Sequence, residues 1–493
     1  MGLIKKQSSQ TTLIAYAGII IGFVGSALIR PKFLDESEIG LLQLVLNTTA
    51  LFSSIFTLGT NLTTLKMVPA FVNQPSKKKS FISFSVILGI IGLIVSIPIF
   101  FGLKQFIFKP EDGGLPNFDY STHFFWAILL VIGFRIFQNI LDAYLRTIHQ
   151  PLPGVFAESI IQKFFPIIGL LLYYYEYINF QELIYFNLFI FGIPILVSAY
   201  KLYQSKAFEL RKPGPFTSEE KKTIAGISMS GVLEILSGGL ILYIDSYMIQ
   251  WLLGEASVGI YTTLFFFGLV ISVPAKSVRR ISIITLSEAI SKGDFSTINT
   301  IYKKSSQTLL VIGGLLFLGI WCNRYSVEAY LGDSYAQEIS IILFIGLAQL
   351  VDCITSVNYQ IIAVSKHYYY NLFIGFMTLA LLVLSNYILI PIMGVTGAAL
   401  ASLISMSLIN VLRFWFLKSK YQLSPFSSSS LKTLAIIFGV LAVVDFIPNL
   451  NNLYLNLLFK GLLVLIIYLP AIYFTKCSPD VNQIIQKNLN RLR

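Results

Sequence analysis

Fourteen stretches of mostly apolar residues recur along the 493-residue chain, each close to the roughly 20 residues that a membrane helix needs. They fall at 11–29, 39–59, 81–103, 122–145, 155–174, 183–203, 223–251, 257–278, 306–322, 338–364, 368–389, 394–412, 431–448 and 453–475. Hydrocarbon offers no water to backbone N–H and C=O groups, so such segments span as helices that close their own hydrogen bonds. The expected fold class is an all-α polytopic membrane protein with about 14 transmembrane helices. Charged residues make up 12% of the chain, half of the ~25% usual in soluble domains, and mean hydropathy is +0.74. Disorder, a disulfide scaffold and an ordinary soluble enzyme are excluded. No small-residue cleavage site follows the first stretch, which reads as a retained helix.

The net charge is +12, and its placement explains it. With the N-terminus inside, 28 Lys and Arg fall in inside loops and tails. Only five fall outside, Arg30, Lys32, Lys104, Lys109 and Arg324, and three lie within spans, Arg135, Lys163 and Lys460. That asymmetry supports an even number of spans with both termini cytoplasmic. Most of the basic excess is therefore topology, and nucleic acid is not an expected partner. Residues 279–305 read as a helical continuation of the eighth span near the membrane surface, and the tail 476–493, with Val481, Ile484, Ile485 and Leu489, reads similarly.

An internal repeat organises the spans. Leu34-Asp-Glu-Ser-Glu-Ile-Gly40-Leu41 follows the first span, and Leu253-Gly-Glu-Ala-Ser-Val-Gly259-Ile260 follows the seventh, 219 residues on. Six spans per half is an even number, so both halves enter the membrane in the same sense, as in parallel-repeat transporters. The expected organisation is an N-terminal six-helix bundle at 1–205 and a cytoplasmic linker at 206–222. A C-terminal six-helix bundle at 223–417, an appended helix pair at 431–475 and a tail at 476–493 follow. A cavity between pseudo-symmetric halves is the expected place for a ligand.

Polar residues inside spans are the site candidates, because lipid-exposed charge costs about 2.5–3.5 kcal/mol on insertion scales. Arg135, Gln138, Asn139, Asp142 and Arg146 stand at i, i+3, i+4, i+7 and i+11, one face of the fourth span. This is the clearest polar stripe in the chain. It reads as a cavity wall for a polar or anionic ligand, or as an Arg–Asp network joining helices. The fifth span carries Glu158, Gln162 and Lys163, with Lys163 as ligand or snorkelling anchor. The second has Gln43, Asn47, Ala50, Ser54, Thr57 and Asn61 on one stripe, a packing face by its small residues. Glu234 and Asp245, eleven apart in the seventh span, and Asp352 in the tenth are carboxylates suited to ion coupling. Arg279 and Arg280 end the eighth span where a phosphate would arrive, and Arg suits bidentate phosphate binding. Gly18-x-x-x-Gly22 signals close packing of the first span.

No G-x-x-x-x-G-K-[ST], H-E-x-x-H or G-x-S-x-G motif occurs, and neither the three Cys nor the three His have metal-ligand spacing. An enzyme is therefore not expected. A membrane glycosyltransferase or polymerase using Asp35-Glu36-Ser37-Glu38 is the alternative of another class.

Two segments carry a family resemblance. Tyr243-Ile-Asp245-Ser-Tyr-Met248-Ile-x-x-Leu-Leu-Gly-Glu-Ala-Ser-Val-Gly259-Ile-Tyr261-Thr resembles the seventh-to-eighth-span signature of polysaccharide flippases. Asn386-Tyr-Ile-Leu-Ile-Pro391-Ile-Met-Gly394-Val-Thr-Gly397-Ala-Ala-Leu-Ala401 resembles their junction of spans eleven and twelve. The chain thus resembles an O-antigen-type oligosaccharide-lipid flippase of the multidrug/oligosaccharidyl-lipid/polysaccharide exporter superfamily. The resemblance implies alternating access of a polyprenyl-diphosphate-linked glycan in the bacterial cytoplasmic membrane, driven by an ion gradient, with no cofactor. It implies partners among membrane lipids and other polysaccharide-assembly membrane proteins. Arg135 and Arg279 would engage the diphosphate. The first span, ending at residue 29, has no internal Lys or Arg, unlike lipid II flippases, and this argues against a peptidoglycan precursor. Drug/cation antiport is the alternative within the superfamily.

Overall fold

The computed structural model describes residues 2–71, 73–108, 123–205, 216–483 and 486. Residues 206–215 of the linker, 109–121 of the outer loop, and Ile484, Ile485 and Leu489 of the tail lie outside the described residues. The described secondary structure is helical throughout. Thirteen helices are long and apolar enough to cross a membrane, and a fourteenth span forms if one bent pair is counted together. That pair, Ser340–Thr355 and Asn358–Val364, bends by 50° at the polar stretch that dilutes the tenth apolar run. Every expected span is present. The eighth runs on as one helical stretch Glu255–Ser291, short of the expected 305, because the ninth-span helix Phe295–Trp321 already begins before that point.

Two boundaries differ for physical reasons. The seventh span ends at Leu242, and a separate helix, Ile244–Leu253, follows a break at Tyr243. Ser237, Gly238 and Gly239 precede that break, and glycine is about 1 kcal/mol per residue less favourable than Ala in a helix. The first span continues to Phe33 and so contains Arg30, which the sequence reading puts in a loop before Pro31. A wide π-type turn, Val24–Ile29, closed by Arg30 N–H to Gly25 O, carries the helix past Pro31. Arg30 is buried and donates to Gln43 Oε1 at 3.2 Å, and Gln43 donates to Asn47 at 2.8 Å. The first span therefore does hold an inward arginine.

The chain forms two compact units, 1–259 and 260–493. In the first, the fourth span Phe125–Thr147 is the hub, packed on the second, third and sixth spans. Ile128, Ile132, Ile136 and Ile140 form a fully buried ridge along it at four-residue spacing. Gly18 and Gly22 fit against the fifth span, where a Cβ at Gly18 would overlap Ser159. The seventh span docks on helix Thr60–Ala70 and the turn before it, through Thr63–Ser228 (2.9 Å) and Gly59, whose φ of 69° lies in the left-handed region, against Ser228 and Gly231, while Lys77 at the start of the third-span helix pairs with Glu220 (2.7 Å). Asp35 and Glu38 form a capping box at the start of the second span, and Glu38 accepts from Tyr173 at 2.7 Å. The acidic run at 35–38 thus starts a helix.

The two copies of the sequence repeat meet each other. A Cβ at Gly40 would overlap Glu255 O, and a Cβ at Gly259 would overlap Glu36 O. The contact is reciprocal, backbone to backbone, and only glycine permits the approach.

In the second unit, the tenth span is packed between the ninth and twelfth, and the last two spans pack on the ninth. Ile437, Val440, Val464, Tyr468 and Ile472 bury against Leu310, Val311 and Leu318, and Tyr468 donates to Val311 O at 2.9 Å. Lys460, 2% exposed, donates to Val444 O at 2.8 Å and Ile447 O at 2.5 Å, capping the thirteenth span.

Gly40→Ala and Gly259→Ala should each cost about 1–3 kcal/mol, the range for overpacking, read as a lowered unfolding midpoint of the detergent-purified protein. Gly439→Ala, mid-helix with nothing within 4 Å of its Cβ, should leave the midpoint unchanged or raise it slightly, since Ala is the better helix former.

Candidate functional site

The polar stripe of the fourth span lines one cavity of about 280 Å³, wholly within the first unit. Arg135, Gln138, Asn139, Asp142 and Arg146 all contribute to its wall. The second span adds Ala50, Ser53 and Ser54, and the following helix Thr60–Ala70 adds Asn61. Glu158 and Gln162 come from the fifth span, and Tyr243 from the break after the seventh. Part of the second-span stripe expected to be a packing face is thus cavity lining.

Each stripe residue is anchored locally. The Arg135 guanidinium lies over the Phe191 ring, with Cζ 3.9 Å from its centroid. Phe191 sits between the two helices of the sixth span, Phe180–Phe189 and Gly192–Gln204. Gln138 donates to Ser198 Oγ at 3.2 Å, and Asn139 lies 3.5 Å from Thr57 Oγ1. Asp142 is buried and pairs with Arg146 one turn on, at 2.5 Å. Its other carboxylate oxygen is seated against Gly154, where a Cβ would overlap it. The stripe thus lines the cavity, and its Asp142–Arg146 ion pair lies within one helix and does not join two.

The remaining candidates lie elsewhere. Lys163 directly follows Gln162, about 100° on around the helix, and so points away from the face of Glu158 and Gln162. Its exposed side chain runs over Gly22, so that a Cβ there would come 3.1 Å from Lys163 Cδ. Glu234 is exposed at the end of helix Ser218–Glu234, and Asp245 is buried at the start of Ile244–Leu253. The break at Tyr243 removes the single helical face expected for that pair.

Arg279 and Asp352 meet in the second unit, Nη2 to Oδ2 at 2.5 Å. Arg279 also donates to Ser356 O at 2.9 Å and Asp352 O at 3.1 Å. These carbonyls belong to the bend of the tenth span, where Ser356 has a φ of 49°. Asn410 bridges the same bend, accepting from Thr355 at 2.8 Å and Asn358 at 2.9 Å. Arg280 is exposed. Sequence reasoning did not assign Glu158, Tyr243 or Phe191 to the site. Glu158 and Gln162 were visible four apart on the fifth span, whereas the approach of Phe191 and Tyr243 depends on tertiary packing. Among the described residues, no group of three or more His, Cys, Asp or Glu is placed to hold a metal.

No protein-family model matches the sequence, and no curated protein matches it. Solved structures do match. The lipid II flippase MurJ in an inward closed conformation aligns with a TM-score of 0.68 at 17% identity, over 94% of this chain and 98% of that one. The chain has the fold of the MOP superfamily. An inward-facing multidrug-resistance MATE transporter of that superfamily aligns at TM-score 0.61 and 14% identity, covering 83% of this chain and 94% of its own. The Vibrio cholerae MATE transporter VcmN, as its D35N mutant, aligns at 0.59 and 12%, covering 85% and 99%.

Arg279→Ala should cost about 3 kcal/mol, because it strands the Asp352 carboxylate and removes the donor to the Ser356 carbonyl. Adding Asp352→Asn should recover part of that loss, read by the unfolding midpoint of each purified variant.

Proposed function

We propose that this protein flips a polyprenyl-diphosphate-linked oligosaccharide from the cytoplasmic to the outer leaflet for surface polysaccharide synthesis. The observation that carries this reading is a polar cavity buried among membrane-spanning helices of a fold shared with a lipid II flippase. A glycan cannot cross hydrocarbon unaided, and a polar cavity shelters it while the polyprenyl tail stays in lipid. Transport proceeds by alternating access, coupled to an ion gradient, and Glu234, Asp245 and Asp352 are the carboxylates to test for coupling. The protein sits in the bacterial cytoplasmic membrane with both termini cytoplasmic, which the basic-residue asymmetry supports. No bond-making chemistry is assigned, and the partners are the lipid-linked glycan, membrane lipids and other polysaccharide-assembly membrane proteins.

The substrate-contacting set is Arg135, Gln138, Asn139, Asp142 and Arg146. Arg279 is assigned to holding the bend of the tenth span, and Lys163 and Arg280 to anchoring at the membrane boundary. The inward Arg30 removes the ground for excluding a peptidoglycan precursor, so the substrate class is a lipid-linked glycan in general.

Lipid-linked glycans extracted from cells with and without the gene, and weighed by mass spectrometry, test this directly. The null strain should lose a surface polysaccharide and accumulate a polyprenyl-diphosphate oligosaccharide. Unchanged lipid-linked glycans would leave drug/cation antiport as the reading to pursue. Arg135→Ala should abolish surface glycan at normal protein level, measured by immunoblot of both. Normal glycan in that variant would remove Arg135 from the site.

A further inference from the structure

The resemblance to polysaccharide flippases leads one to expect a cationic pocket for diphosphate. The cavity of the first unit is different. Its two guanidinium groups, Arg135 and Arg146, are matched by two carboxylates, Asp142 and Glu158. Each guanidinium already has a partner within the protein. Arg146 is paired with Asp142 at 2.5 Å, and Arg135 sits over the Phe191 ring with Cζ 3.9 Å from its centroid. A dianion entering such a site would lose its hydration without gaining net positive charge, which is unfavourable.

What the cavity offers instead is neutral polarity. Asn61, Gln138, Asn139 and Gln162 place four carboxamides in its wall, with Ser54 and Tyr243 beside them. A carboxamide both donates and accepts, and so does a hydroxyl, whereas an ionised phosphate only accepts. The complement of this wall is therefore a ring bearing hydroxyl or acylamino groups. The volume of about 280 Å³ is near the lower end of small-molecule pockets, about 300–1,000 Å³, which suits one or two rings and not a long chain.

We infer that this cavity is a sugar site, which holds the glycan residue next to the lipid while the diphosphate stays outside it. The inference rests on the flippase reading, and the test separates the two. The full-length protein in lipid nanodiscs is titrated with polyprenyl diphosphate and with the same lipid carrying one N-acetylhexosamine. Affinity is measured by microscale thermophoresis. Wild type should bind the sugar-bearing lipid about tenfold more tightly or better, roughly the sum of one or two net hydrogen bonds. In Asn61→Leu/Gln162→Leu the preference should fall to about threefold or less, with affinity for polyprenyl diphosphate unchanged. Both positions face the cavity, and the preference between two lipids is a ratio that a general loss of stability does not move. Equal binding of the two lipids by wild type, or a preference retained in the double variant, would overturn the sugar site and leave the flippase reading standing. Binding of neither lipid would overturn the flippase reading and the sugar site with it.

Discussion

A helix that bends inside hydrocarbon frees carbonyl groups that no water can reach, and each must find a donor within the protein. Much of the polar chemistry in this chain serves that need. Arg279 crosses from the eighth span to bond Asp352 O and Ser356 O where the tenth span bends by 50°. Lys460 reaches two carbonyls at the end of the thirteenth span. Each cation is a candidate ligand group when seen as letters in an apolar run. Each is a backbone partner once the break beside it is seen. The constraint sorts intramembrane polar residues into those that complete the fold and those that face a cavity.

The fourth span shows what remains after that sorting. Its helix is unbroken from Phe125 to Thr147, so its backbone needs no side-chain help. Its polar stripe is therefore available to side-chain neighbours and to the cavity. The same regularity made it legible: a continuous helix keeps the 3.6-residue period, and residues at i, i+3, i+4, i+7 and i+11 stay on one face. The spans were legible for a related reason, because length and apolarity are set by bilayer thickness before any tertiary contact forms.

Legibility fails where the period slips. A π-type turn widens the helix and shifts the register beyond it, as at Ala157–Ile161 in the fifth span. The turn at Val24–Ile29 does the same and carries a proline-containing helix onward, so Arg30 ends buried. The break at Tyr243 separates Asp245 from Glu234. None of these has a sequence signature as firm as a proline in a soluble helix. They depend on neighbours that accept the widened turn. Phe191 under Arg135 belongs to the same class, since nothing local tells a ring which cation will cover it.

The crossing of Gly40 and Gly259 has the form of an isologous interface, in which residue i meets j and j meets i. In a dimer of identical chains a two-fold axis enforces that equality, and one mutation alters both sides together. Here the two sides are written at separate positions of one polypeptide, 219 residues apart, so each is free to mutate alone. The backbones share a single separation, however. A side chain gained at either glycine pushes both strands of the crossing apart and undoes the fit of the other. Two independent positions are thereby bound to one fate, and the repeat motif survives in the sequence as the trace of that shared distance.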